Sequence, residues 1–108
     1  MNKALNTIGI CKCANKLSYG EILINDIRKN LVSIVVICTD TSDNSKKRIM
    51  DKCHYYNCEY VVAFTQDEVK KVLARVDPVS AIGIKDNNLA KKFKENINEE
   101  GRYNGEEQ

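Results

Sequence analysis

Residues 31 to 38, Leu31-Val32-Ser33-Ile34-Val35-Val36-Ile37-Cys38, form a nearly unbroken β-branched run. A strand with one face in water alternates apolar and polar residues, so a continuous run calls for a central strand covered on both faces. The rest of the chain must supply those covers.

It does so in alternation. Ala4, Ile8, Cys11 and Ala14 recur at helical spacing and predict a helix over 4–16, in which Gly9 permits close packing. A short extended piece follows around Leu17. Ser18-Tyr19-Gly20-Glu21 has the capping-box pattern and predicts a second helix over 19–30, with Leu23, Ile24, Ile27 and Leu31 inward and Glu21, Ile22, Asn25 and Lys29 outward. Beyond the central strand, caps within residues 39–43 open a third helix. Its buried stripe is Ile49, Met50, Cys53 and Tyr56, with Lys47, Arg48, Asp51 and Tyr55 opposite. Residues 59–64 read as a second strand, Thr65-Gln66-Asp67-Glu68 as another capping box, and Val69, Val72 and Leu73 as the stripe of a fourth helix. Asp77-Pro78 marks a loop before a strand over 79–84, and a last helix over 87–96 buries Leu89, Ala90, Phe93 and Ile97. Strands alternating with helices predict an α/β/α sandwich.

At 108 residues, 43% hydrophobic and 30% charged, the chain has material for one core and one domain. No apolar run approaches the roughly 18 residues of a membrane span, and the first residues lack the apolar stretch of a secretory signal, so a cytoplasmic location is expected. Five cysteines are then expected to be reduced. The charge is uneven. Residues 1–94 hold sixteen Lys and Arg against ten Asp and Glu, whereas residues 95–108 hold one against five. The sequence therefore divides into a basic body over 1–97 and an acidic flexible tail over 98–108. A basic body permits polyanion binding without requiring it.

Motifs for chemistry are missing. Cys11 and Cys13 stand about 200° apart on a helix and cannot face one ion, which argues against a metal site with Cys53, His54 and Cys58. The single histidine, His54, is expected on a helix flank, away from any nucleophile. The five glycines are scattered and form neither a phosphate loop nor a dinucleotide fingerprint. Neither a catalytic residue, a cofactor nor a metal is expected. What remains is positive charge: Lys12 and Lys16, Lys29, Lys46, Lys47, Arg48 and Arg75, with helix starts near residues 20 and 42 adding oriented N–H donors for phosphate. The alternative for Arg48 is an ion pair with Asp51 at i,i+3. Ile22 is the odd residue, apolar and outward in the first turn of its helix.

The stretch 40–48, followed by Asp51-Lys52-Cys53-His54-Tyr55-Tyr56 and Tyr60, resembles the bacterial YlxQ-like members of the kink-turn-binding ribosomal-protein family, the large-subunit L-seven-Ae type. Ile8-Gly9-Ile10 with Ala14 and Lys16, Ser18-Tyr19-Gly20-Glu21 and residues 81–86 extend the likeness over about residues 5–97. The resemblance implies a three-layer α/β/α fold around a mixed sheet of about four strands. It also implies a non-catalytic RNA-binding protein, associated with ribosomes and with translation or ribosome maturation. Its partner would be structured RNA, ribosomal RNA in the first instance, gripped by the start of the second helix and the loop before the last strand. Archaeal-type members carry an Asn–Glu pair and a later Lys where this chain has Glu21, Ile22 and Asn25, and the first-helix position often basic in YlxQ-like sequences is Cys13.

Carried onto this sequence, the site comprises Gly20 for close backbone approach, Asn25 for contacts to bases, Lys29, Lys46, Lys47 and Arg75 for phosphates, and Val76 as an apolar platform. The alternative is a protein-interaction module of the same fold that has lost kink-turn binding and docks through Ile22.

Overall fold

The computed structural model describes residues 3–74, 77 and 79–99, apart from the side chain of Glu99. In chain order the elements are α1 (Lys3–Cys13), β1 (Leu17–Tyr19), α2 (Glu21–Arg28), β2 (Ile34–Ile37), α3 (Asp43–Tyr55), β3 (Glu59–Val62), α4 (Gln66–Leu73), β4 (Ala81–Ile84) and α5 (Asn87–Glu99). The strands form one mixed sheet in the order β1-β4-β2-β3, with β2 and β3 parallel and β4 antiparallel to both its neighbours. The β-branched run is indeed central, and all four residues of β2 are buried.

Alternation along the strands sorts the core into two clusters. Ile34, Val36, Val61, Ile82 and Ile84 pack with Ala4 and Ile8 of α1, Val69 and Leu73 of α4, and Phe93 and Ile97 of α5. Val35, Ile37, Tyr60 and Ala81 point the other way, onto Leu23 and Ile27 of α2 and Ile49 and Cys53 of α3. The result is the expected three-layer α/β/α sandwich, with α1, α4 and α5 on one face and α2 and α3 on the other.

Several local expectations need correction. The helices α1 and α2 stop earlier than the apolar pattern does, because Asn15 and Asn30 take left-handed backbone conformations, both at φ 60°. Ala14 and Leu31 consequently lie exposed rather than inward. Residues 87–96 understate the last helix, which continues through Asn98 and Glu99. Residues 100–108, most of the acidic tail, lie outside the described residues. The capping box at Thr65 forms as read, with the Thr65 hydroxyl accepting from the Glu68 N–H and the Glu68 carboxylate accepting from the Thr65 N–H. The one at Ser18 does not form. Ser18 belongs to β1, paired with Gly83, and its hydroxyl donates to the buried Asp26 carboxylate at 2.8 Å.

Candidate functional site

Gly20 is the N-cap of α2, at φ 73° and ψ −147°, a region of backbone space open in practice only to glycine. Among the described residues no side chain caps this helix start, so the first-turn amide hydrogens that an α-helix leaves unpaired receive no oxygen from a capping group there. A Cβ built on Gly20 would meet nothing within 4 Å. Among the described residues nothing covers the space at this start, which has the positive end of the helix dipole behind it.

That space is one end of a cleft of about 290 Å³, walled by Tyr19 to Glu21 with Leu23 and Ile24, by Ser45, Arg48 and Ile49 of α3, and by Val79 to Ala81 where the chain enters β4. The third wall is firmly held. Ser80 O accepts from Cys38 N at 2.9 Å and from the Thr41 hydroxyl at 2.8 Å, while the Cys38 thiol donates to Val79 O at 3.2 Å. Burial, assisted by Asp40 and Glu68, pushes that thiol up to about 12, which keeps it a donor. Among the described residues, the cleft carries Arg48 as its cation and Glu21 as its carboxylate, alongside the apolar Leu23, Ile24 and Ile49.

The residues singled out from sequence are only partly brought together. Gly20 lines the cleft. Asn25 is on the exposed face of α2, where its side-chain carbonyl accepts from the Arg28 guanidinium at 2.6 Å. Lys29 caps the far end of α2, about 13 Å along the axis from Gly20 at 1.5 Å per residue. Lys46 and Lys47 flank the α3 start but are not in the cleft wall, because 100° per residue turns them away from Ser45, Arg48 and Ile49. Arg75 and Val76 lie outside the described residues. Ile22 is 63% exposed, as read from the sequence.

Arg48, named from sequence among the cations but left out of the carried-over site, is the one the fold sets in the cleft. Asp51, the expected partner, instead pairs with Lys47 at 3.5 Å, and Arg48 has no ion-pair partner among the described residues. Its place in the cleft had one available signal, since Ser45, Arg48 and Ile49 fall at i, i+3 and i+4 and share one flank of α3. Lys12, counted among free cations, donates to Leu73 O at 2.6 Å and closes the end of α4. No group of three or more His, Cys, Asp or Glu is placed to hold a metal among the described residues. Nor is any described helix long and apolar enough to cross a membrane.

These features define a single-domain α/β/α protein whose second helix starts beside β4, and its fold is shared with solved structures. A Bacillus halodurans protein of unknown function has a TM-score of 0.84 at 24% identity, covering 91% of this chain and 99% of its own. The Giardia lamblia 15.5kD RNA binding protein has a TM-score of 0.72 at 14% identity, covering 88% and 82%. At these identities the likeness is one of fold.

No family model matches the chain. Among sequence relatives, the RNA-binding protein YlxQ of Enterococcus faecium is 41% identical over 96 residues, 88% of this chain and 91% of the relative. Its namesake from Bacillus subtilis (strain 168) is 35% identical over 54 residues, 49% of this chain and 54% of the relative. The chain belongs to the YlxQ family.

Proposed function

We propose that this protein is a cytoplasmic, non-catalytic RNA-binding protein, associated with the ribosome, that recognises a kink-turn-like element through the start of α2 and the segment before β4. The observation carrying this reading is the convergence on one cleft of the uncapped α2 start, Arg48 and the pinned residues 79–81. Backbone amides and a guanidinium are what phosphate oxygens and base edges accept from, and the apolar floor suits an unpaired base. The names of the YlxQ relatives and of the Giardia protein support RNA as the ligand. In this reading Gly20 gives the RNA backbone room to approach and Asn25 contacts bases. Lys29, Lys46, Lys47 and Arg75 neutralise phosphates around the cleft, and Val76 supplies an apolar contact. The body over 1–97 carries the site, and residues 98–108 form an acidic tail.

Glu21 and Ile22 shape the specificity. At the start of α2 they offer a carboxylate and an apolar side chain, so recognition relies on RNA shape and backbone more than on hydrogen bonds from this turn to guanine edges. Charge reversal at Lys29, Lys46 and Lys47 is the test. Binding of a synthetic kink-turn RNA should fall at least about tenfold at moderate salt, since each lost phosphate contact also forfeits released counterions. Unchanged affinity would contradict the proposed surface.

The exposure of Ile22 favours a second reading, a protein-docking module of the same fold. Ile22→Asp would then abolish capture of a protein partner that the lysine reversals leave intact.

A further inference from the structure

A second groove lies on the outer side of α3, lined by Arg48, Asp51, Lys52, Tyr55 and Tyr56. Arg48, Lys52 and Tyr55 stand at i, i+4 and i+7 and so form one stripe along the helix, about 10 Å from end to end. Arg48 also belongs to the cleft, and the two surfaces are therefore continuous. Tyr55 is 79% exposed, and its ring meets Tyr56 edge-on at a centroid distance of 4.7 Å and 83° between planes. Tyr56, itself half-buried, gives that ring a fixed neighbour while leaving it open to solvent. Among the described residues, the one carboxylate lining the groove, Asp51, is engaged by Lys47 at 3.5 Å, and Lys52, like Arg48, has no ion-pair partner.

Resting on the RNA-binding reading above, we infer that this stripe holds a single-stranded RNA segment flanking the structured element in the cleft. A base stacks on Tyr55, and Arg48 and Lys52 meet the phosphates as the strand leaves the cleft. The chemistry favours a polyanion with planar groups over a protein segment. Aromatic faces tolerate any base, cations one and two turns away track the backbone, and the cationic side chains beside Tyr55 complement a phosphate chain.

The test compares two probes, a synthetic kink-turn RNA with blunt ends and the same RNA with a six-nucleotide single-stranded adenylate extension at either end. They are titrated into the full chain and into Tyr55→Ala and Tyr55→Phe, each checked by thermal melting. The wild-type chain should bind the better extended probe on the order of tenfold more tightly than the blunt one. Tyr55→Ala should erase that gain and leave blunt-probe affinity unchanged, while Tyr55→Phe keeps it. The inference is overturned if the extension adds no affinity to the wild-type chain, if the gain survives Tyr55→Ala, or if Tyr55→Ala weakens both probes equally. Failure of the wild-type chain to bind even the blunt probe would sink the cleft reading, and this extension of it as well. Binding of the blunt probe with no added affinity from either extension condemns the stripe alone.

Discussion

Gly83 lies directly against Leu23: a Cβ added at Gly83 would come within 2.7 Å of Leu23 Cδ1 and 2.9 Å of Val32 Cγ1. Side-chain absence on β4 is thus what lets α2 settle onto the sheet, and α2 carries the uncapped start that opens the cleft. Gly83→Ala should destabilise the fold by about 1–3 kcal/mol through overpacking, read as a lower urea midpoint with an unchanged slope. The same variant should also lower RNA affinity in its folded fraction, because displacing α2 moves Gly20. An unaltered midpoint would show that α2 is not seated by this contact.

The buried Asp26 is held by two groups from other elements, the Ser18 hydroxyl at 2.8 Å and the Lys85 ammonium at 3.7 Å. It ties α2 to β1 and to the end of β4. Asp26→Ala leaves a buried hydroxyl without its acceptor and should cost about 1–3 kcal/mol, with Ser18→Ala costing less. Because the two residues share one bond, their effects should be non-additive in a double-mutant cycle of chemical denaturation. Strict additivity would deny the coupling.

Two thiols make the fold alkali-sensitive. Burial, aided by Asp86, raises Cys11 to about 11, and burial raises Cys38 to about 12, from an ordinary value of 9.0. An unfolded chain releases these protons above about pH 9, whereas the folded one keeps them. Their contribution to stability is therefore complete below pH 9 and is lost as pH climbs through 11 to 12. Melting temperatures should fall over that window, and less steeply in a Cys11→Ala/Cys38→Ala variant. Parallel profiles for variant and wild type would assign the alkaline loss elsewhere.

What the sequence disclosed and what it hid separate along one physical line. The box at Thr65 was legible because both of its partners sit within one helical turn. Ser18 offers the equivalent spelling, a hydroxyl residue three before a Glu, yet pairing of β1 with β4 takes it out of the helix entry and turns its hydroxyl to Asp26. Nothing local predicts a buried carboxylate whose cation, Lys85, comes from beyond the last strand. The layers were readable from periodicity, since Val35 and Ile37 alternate with Ile34 and Val36. The cleft was only half readable. Gly20 could be found from its turn, but Arg48 lies on a helix flank, and flanks become walls only when a second helix is set beside them.

Glu21 stands in the cleft wall where phosphate is proposed to approach. Its charge opposes that approach, although it also favours the α2 start electrostatically. Glu21→Gln should raise affinity for structured RNA severalfold and lower stability by a few tenths of a kcal/mol. Filter-binding and thermal melts on one preparation separate the two effects. A fall in affinity would mean that the carboxylate itself accepts hydrogen bonds from the RNA.

The most direct measurement is the salt dependence of the dissociation constant for a synthetic kink-turn RNA, taken on the wild-type chain and on Arg48→Gln. Steep weakening with salt is predicted for the wild type, with the logarithmic slope reduced by about one in the variant and affinity lower across the range. A flat salt response, or a slope and affinity that Arg48→Gln leaves untouched, would contradict an RNA site in the cleft beside Gly20.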